Sequence, residues 1–361
     1  MIYTAHNFDD LPVKIRKKWK NLDINIDIQK SWLKASEKAI DNLLPFYYVE
    51  ESNDGEILNF IVANIIKKLD CLLFIQDCEL EKKIIKKRTN NPNYFKYNVL
   101  FVGAPMGMNS GIFYQDRERF CEFFKQYKRY IFENLEIEGV FYTNTSVDDV
   151  LDPEKDAINF SYYPNTVLNL NFKNFNEYLY SLKKKKRWDV RNKIRVFQEK
   201  GCKIEIKLNS QITHEEYQTF YRLYRNTENN NPKSINYMHY SNFNAFNVLG
   251  DKYIWIILKQ SDEIIAFALL CIDGSTLILK HVGLDYNTNR DTYAYFNLFY
   301  NAFNYGIRHN FKKILCGSTT YDVKRHLGCE LIKRTATIII FANSNQQSIK
   351  LIENLSLDGE E

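Results

Sequence analysis

Three apolar runs separated by short polar turns fill the stretch from residue 252 to residue 283. The runs are Lys252–Gln260, Ile264–Ile272 and Thr276–Gly283, with turns at Ser261-Asp262-Glu263 and Asp273-Gly274-Ser275. Such short connections join neighbouring strands as antiparallel hairpins. The pattern therefore predicts an antiparallel meander, and the neighbouring segments have to pack on, or extend, the sheet that it forms.

An amphipathic segment and another short strand follow the meander. The apolar spacing predicts a helix over Tyr293–His309 and a strand over Lys313–Cys316. A meander that passes into a strand-helix-strand crossover is typical of α+β architecture around one mixed sheet. A short helix at Thr320–Leu327 and a last strand at Thr335–Phe341 complete the region.

The segments ahead of the meander extend this architecture. Thr166–Phe172 alternates as a strand does, and a helix is expected from there to about Lys200, where Gly201 ends it. Cys202–Leu208 alternates again, and Thr213 opens a helix with a capping box.

The first half of the chain carries comparable pieces, although no residue-level repeat is visible. We expect strands at Phe46–Glu51, Ile57–Ile66 and Tyr97–Val102, then a helix at Arg117–Leu135 and a strand at Val140–Thr143. The halves are then divergent copies of one unit. The expected domains are 1–160 and 161–343, with a polar tail at 344–361.

Composition narrows the class of protein. Hydrophobic residues make up 45% of the 361 residues, no run reaches membrane-span length, and the N-terminus lacks a signal-peptide pattern. The seven cysteines are scattered without a CxxC pair. We therefore expect reduced, buried thiols in a cytoplasmic protein, with no membrane span and no metal site.

Positive charge is concentrated in residues 173–200. This segment holds ten Lys or Arg against three Asp or Glu, whereas the whole chain sums to only +5. On one helix, Lys183, Arg187, Arg191 and Arg195 form a basic row, and Lys186 interrupts the apolar stripe. The segment is either a solvated helix face or a docking surface for an anion such as tRNA, a nucleotide-linked substrate or a carrier phosphate.

Three motifs carry a family resemblance that spans about 166–341. They are Tyr178–Leu182 through Lys186–Arg191, Gly283–Tyr286, and Tyr321–Gly328. In these residues the chain resembles the GNAT acetyltransferase superfamily, in particular the FemAB-like peptidoglycan aminoacyl ligases and their BioF2-like acyltransferase relatives. The resemblance implies tandem acetyltransferase-like domains of which the first is degenerate, and transfer of an acyl or aminoacyl group to an amine.

One departure from the superfamily concerns the donor. Users of coenzyme A in this superfamily hold the pyrophosphate in a glycine-containing loop, but the corresponding segment here, 285–292, has no glycine. The missing glycine weakens the case for acetyl-CoA and fits better with a donor held elsewhere, such as an aminoacyl-tRNA or a carrier-bound acyl group. The candidate co-substrates are acyl-CoA, an acyl carrier or an aminoacyl-tRNA, and no tightly bound cofactor is expected. The expected acceptor is an amine-bearing small molecule, a peptide, or a cell-wall or polysaccharide precursor; tRNA or a carrier protein is the further partner.

The resemblance also suggests a catalytic lysine. Lys324 matches a lysine of Fem-type ligases that faces the acyl centre, where an ammonium stabilises the tetrahedral oxyanion. The alternative is a surface lysine. His281 or Asp285, beside the end of a strand, is the candidate general base; the alternatives are a structural histidine and a loop-capping aspartate.

Binding residues are expected around this centre. Arg187 and Arg191, with Lys183 and Lys186, are candidates for holding phosphate. Substrate hydrogen bonds are expected from three tyrosines, Tyr286, Tyr293 and Tyr321. The glycine-rich segment 103–111 lacks the ending of a P-loop and is interpreted as a loop beside the cleft rather than a phosphate cradle. The functional alternative is a non-catalytic RNA- or anion-binding protein, or a scaffold with a degenerate acetyltransferase fold.

Overall fold

The computed structural model describes residues 1–41, 43–74, 78–145, 157–230 and 239–340. Two compact units make up this part of the chain. The N-unit contains residues 1–164, His239 and 333–340, and the C-unit contains residues 165–230 and 240–332. The predicted tail at 344–361 and Phe341 lie outside the described residues.

The N-unit is a mixed sheet with helices. In chain order its elements are β1 (Ile2–Ala5), α1 (Val13–Trp19), α2 (Lys30–Ala39), β2 (Pro45–Glu51), β3 (Ile57–Asp70), α3 (Cys78–Arg88), β4 (Lys96–Val102), β5 (Ile112–Tyr114), α4 (Arg117–Asn134) and β6 (Gly139–Thr145). The strands follow the order β1-β2-β3-β4-β6, with β5 on β3. β2, β3 and β4 are antiparallel, whereas β6 runs parallel to β4 after the crossover helix α4.

The C-unit repeats this plan. Its elements are the end of β7 (Ala157–Asn169), α5 (Phe175–Ser181), α6 (Lys184–Glu199), β8 (Cys202–Leu208), α7 (His214–Asn229), β9 (Tyr253–Gln260), β10 (Glu263–Asp273), β11 (Thr276–Leu284), α8 (Tyr286–Thr292), α9 (Ala294–Arg308), β12 (Lys313–Gly317) and α10 (Tyr321–His326), followed by the start of β13 (Glu330–Ile340). The order is β8-β9-β10-β11-β12-β7. The predicted meander is β9-β10-β11, and β12 is parallel to β11 after the crossover helix. The predicted α+β class is confirmed.

Two local predictions differ from the structure. The helix expected up to Lys200 is broken into α5 and α6, because Leu182 turns inward into the core and Lys183 is extended, with φ −54° and ψ 146°. Lys183 therefore precedes α6 and does not belong to its basic row. The segment expected as a loop at 285–292 forms α8, since Asp285 caps its first turn.

Gly283 allows α7 to pack directly against β11. A Cβ at this position would lie 2.2 Å from Cε1 of Phe267 and 2.7 Å from the backbone nitrogen of Tyr224. The β11 strand, which leads into the candidate site, thus depends on a residue without a side chain.

We predict that Gly283→Ala destabilises the protein by about 1–3 kcal/mol, because the new methyl group overpacks this contact. Gly250→Ala is the matched control, since a Cβ there meets nothing within 4 Å. The free energy of unfolding from urea titrations checks both. Equal stability of the two variants would contradict the prediction.

Candidate functional site

The pairing between β11 and β12 stops early. The two strands pair in parallel from Thr276↔Lys313 to Ile278↔Leu315, and β11 then continues to Leu284. Against β10, the register shifts between Leu269↔His281 and Leu270↔Leu279, so Lys280 is bulged out of the ladder. The point where β11 and β12 stop pairing is therefore at the carboxyl ends of two neighbouring parallel strands. Open α/β sheets commonly bind ligands at this position.

Gly317 ends β12 with its carbonyl oxygen accepting two hydrogen bonds. Its φ is +80°, in the left-handed region that glycine adopts without strain. The carbonyl accepts from the hydroxyl of Thr166 at 2.7 Å and from the Nζ of Lys324 at 3.2 Å. This carbonyl therefore joins β12, β7 and α10 at the end of the sheet.

Lys324 is buried rather than on the surface. Only 2% of the residue is exposed, and burial lowers its pKa to about 8. The neighbouring Cys316 thiol has a pKa raised well above its ordinary value, mainly by burial, so it remains protonated. An ammonium group has three N–H donors. Among the described residues, its hydrogen bond goes to Gly317, which leaves donor capacity for a developing oxyanion.

The turn before Lys324 is strained and joined to a tyrosine. Thr320 has φ +50°, a conformation that costs a β-branched residue energy. Its hydroxyl lies 2.8 Å from the hydroxyl of Tyr295. Burial raises the pKa of Tyr295 to about 12, so this hydroxyl keeps its proton. The sequence analysis missed Tyr295, Thr320 and Cys316, because their role depends on contacts that are remote in sequence.

His281 lies in an aromatic environment. Its Nε2 is 3.1 Å from the hydroxyl of Tyr240, and its ring is stacked on Phe246 with an interplanar angle of 4°. Burial, with a smaller contribution from Lys280, lowers its pKa to about 3. Such an imidazole is neutral at physiological pH and is a weak base, so its surroundings favour the structural alternative.

Asp285 caps a helix. Its Oδ1 accepts from the backbone nitrogen of Asn287 at 2.9 Å, at the start of α8. A carboxylate thus occupies the helix start, where a pyrophosphate would need donors and positive potential. The start of α8 therefore already carries a negative charge from the chain itself.

The three predicted tyrosines occupy different environments. Tyr286 is 37% exposed, and burial of the remainder raises its pKa. Tyr293 joins α8 to α9 in a left-handed conformation, with φ +53°. Tyr321 is buried as the first residue of α10, three positions before Lys324. Tyr321 is thus on the same short helix as the candidate catalytic lysine.

The basic residues of α6 divide into two sets. On the inner side, the Nζ of Lys186 donates to the carbonyl oxygen of Arg325 at 3.0 Å. The Oδ2 of Asp189 accepts a hydrogen bond from the Nζ of Lys193 at 2.5 Å and lies 3.1 Å from the Nε2 of His326. The bonds of Lys186 with Arg325 and of Asp189 with His326 attach α6 to α10, whereas the Lys193 bond lies within α6. Lys186 therefore contributes to the scaffold in this structure.

The outer side of α6 carries two arginines beside aromatic rings; Arg191 is exposed, whereas Arg187 is half-buried and donates to the carbonyl oxygen of Tyr180 at 3.3 Å. The guanidinium carbons of Arg187 and Arg191 lie 5.0 and 5.7 Å from the ring centre of Tyr180. Trp188, on the same side, is 66% exposed. We define Arg187, Trp188 and Arg191, together with the Tyr180 ring of α5 on which the two arginines pack, as the outer face of α6. Arg195 is also on this side, but Glu199 pairs with it at 2.6 Å.

The glycine-rich segment of the N-unit holds a buried carboxylate. Asp27 is fully buried, and its Oδ2 accepts from the backbone nitrogens of Met108 and Asn109 at 2.8 and 2.9 Å. The side-chain amide of Asn109 donates to the same oxygen at 2.8 Å. The chain itself therefore uses the donors that a phosphate cradle would need.

Comparison with known families decides the affiliation of the chain. Residues 132–350, more than half of the sequence, match the FemAB-like family, which is described as acting in peptidoglycan biosynthesis and recognition. The chain belongs to the FemAB-like family. No curated protein matches it in sequence.

Solved structures share the fold at low sequence identity. FemX has a TM-score of 0.55 and 12% identity, covering 97% of this chain and 100% of FemX. The C-terminal domain of a putative lysylphosphatidylglycerol synthetase from Agrobacterium fabrum has a TM-score of 0.56 and 11% identity, covering 94% of both chains. L-PGS from Bacillus licheniformis has a TM-score of 0.53 and 12% identity, covering 88% and 89%. The FemAB-like chain therefore has the predicted tandem acetyltransferase-like fold.

Family and fold together support acyl or aminoacyl transfer in general as the activity of this FemAB-like protein. Within the described residues, no helix is long and apolar enough to cross a membrane. The same part of the chain contains no cluster of side chains suited to holding a metal ion.

We predict that Lys324→Met stabilises the protein at pH 7, because it removes a buried ammonium whose pKa is lowered from 10.5 to about 8. The unfolded chain binds more protons between these two pKa values, so the wild type gains stability as pH rises through that window. The stability advantage of the variant should shrink by about 1 kcal/mol from pH 7 to pH 9. Urea titrations at both pH values measure it. If the stability advantage of Lys324→Met over the wild type grew with pH, the lowered pKa of Lys324 would be contradicted.

Proposed function

We propose that this FemAB-like protein transfers an aminoacyl group from an aminoacyl-tRNA to the amine of a cell-wall precursor. The observation that carries the proposal is the buried Lys324, held at the end of β12 with donor capacity beyond its bond to Gly317. A buried cation costs folding energy, which an uncharged residue of similar size would avoid. Its presence is therefore best explained by a function.

The proposed reaction needs no metal and no covalent enzyme intermediate. The acceptor amine attacks the ester carbonyl of the donor, which forms a carbon–nitrogen bond and places negative charge on the carbonyl oxygen. The Lys324 ammonium donates to that oxygen. The tetrahedral intermediate then collapses, the carbon–oxygen bond to the ribose breaks, and the leaving ribose oxygen takes up the proton lost by the amine.

The surroundings of α8 and α6 favour tRNA over coenzyme A as the donor. The Asp285 carboxylate at the start of α8 disfavours a pyrophosphate there. In contrast, the outer face of α6 combines two guanidinium groups with the exposed ring of Trp188. Arginines bind phosphates bidentately, and exposed aromatic rings stack on unpaired bases. A tRNA acceptor end offers both partners.

We predict that Lys324→Met lowers the transfer rate by about 10²–10³-fold, because the oxyanion loses a preorganised donor. The assay uses bulk tRNA charged with radiolabelled amino acids and a soluble muramyl-pentapeptide precursor as acceptor, with radiolabelled acetyl-CoA as the competing donor. In the wild type, the rate should fall as pH rises through about 8, since the ammonium then loses its proton. The residual rate of the variant should lack this fall.

Lys312→Met is the matched control, because Lys312 is an exposed lysine of the same unit. It should transfer at the wild-type rate. A Lys324→Met variant with full activity would exclude the proposed role. A wild-type rate that rises through pH 8 would instead indicate that the neutral amine acts as a base. Binding of tRNA without any transfer would favour the non-catalytic alternative.

We predict that Arg187→Gln/Arg191→Gln weakens tRNA binding and makes it less dependent on salt, with the log–log slope reduced by about 1–2. Arg195→Gln is the control, because Glu199 already pairs with Arg195. Filter binding over a range of salt concentrations measures the slopes. Equal effects of the double variant and the control would contradict a specific tRNA contact on the outer face of α6.

A further inference from the structure

The strand β8 is an edge strand with an exposed apolar side. It pairs antiparallel with β9, and no other strand of the described chain pairs with it. Ile204, Ile206 and Leu208 are 43%, 46% and 38% exposed. Natural edge strands usually avoid such exposure, because an apolar edge with unpaired backbone groups pairs with other strands.

The exposed side chains continue the core of the C-unit. Ile204, Ile206 and Leu208 lie opposite Leu258, Ile256 and Ile254 of β9, and these three partners are fully buried. Residues opposite one another point to the same face of a sheet. The apolar layer of the core therefore extends to β8 and becomes exposed there.

The other face of β8 carries alternating charge. Lys203, Glu205 and Lys207 point away from the apolar side. Glu205 accepts from Lys259 at 2.9 Å, and Lys207 donates to Glu216 at 2.6 Å. The charged face is thus already ordered, which lowers the entropic cost of adding a partner strand.

We propose that two copies of this chain pair through β8, antiparallel and two-fold symmetric, with Ile206 on the axis. In this register Glu205 of each copy faces Lys207 of the other, and Ile204 faces Leu208. A register centred on Glu205 would place Glu205 against Glu205 and Lys203 against Lys207, and like charges in opposing positions are destabilising. A register centred on Ile204 would leave Leu208 beyond the paired apolar residues. The Ile206 register alone among the three matches every exposed apolar side chain of β8 with another.

The proposal is independent of the transfer activity and is tested by oligomeric state. Sedimentation velocity of the wild type should show a dimer. Glu205→Lys and Lys207→Glu should each be monomeric, because each creates two like-charge oppositions across the axis. An equimolar mixture of these two variants should restore a dimer, since every opposition then becomes an opposite-charge pair.

Two further variants separate pairing from folding. Ile206→Asp, which places two carboxylates on the axis, should be monomeric. Ile85→Asp should remain dimeric, because Ile85 is similarly exposed, at 49%, but lies on α3 of the N-unit. Circular dichroism confirms that each variant is folded. A monomeric wild type, an Ile206→Asp dimer, or a charge-swapped mixture that stays monomeric would each overturn the proposal.

Discussion

The hydrogen bond from the Lys324 ammonium to the carbonyl oxygen of Gly317 is the constraint on which the candidate site depends. It requires a left-handed glycine at the end of β12, a hydroxyl from Thr166 that shares the same carbonyl, and a short helix that starts from the strained Thr320. Each feature costs energy or conformational freedom. Together they hold a cation where the parallel pairing of β11 and β12 has ended.

The attachment of α10 to α6 follows from this arrangement. A helix of six residues is too short to hold its own position, since isolated helices of this length are unstable in water. Lys186 and Asp189 bind its last turn through the Arg325 carbonyl and the His326 ring. Part of the charge on α6 therefore holds α10, the helix that carries Lys324, and the proposed donor site uses the cations on the outer face of α6.

Sequence reasoning recovered those elements whose signal is local. The meander, the crossover helix and the strand after it follow from hydrophobic period and turn residues, and the structure contains all of them. The break at Leu182 carries no glycine or proline, because it arises from packing against residues far away in sequence. For the same reason, the pairing of Gly317 with Thr166, 151 positions apart, left no trace in the sequence. Lys324 was found by resemblance, but its burial was not predictable from composition.

The two units share one feature: a carboxylate accepts from backbone N–H groups in the segment after the meander. In each unit, the segment after the third strand of the meander precedes the crossover helix, which is where backbone N–H groups are available for a phosphate. In the N-unit, the buried Asp27 accepts from two of those groups, and in the C-unit Asp285 accepts from one of them, the backbone nitrogen of Asn287. A carboxylate at both positions repels a polyphosphate and occupies its donors. If the donor carries phosphate, its binding has to use side chains elsewhere. The outer face of α6 supplies two guanidinium groups that form no ion pair within the described residues, on the helix that holds α10. Donor recognition and placement of the candidate catalytic lysine would then share one helix, so that loss of the arginines weakens donor binding and loss of Asp189 disturbs Lys324.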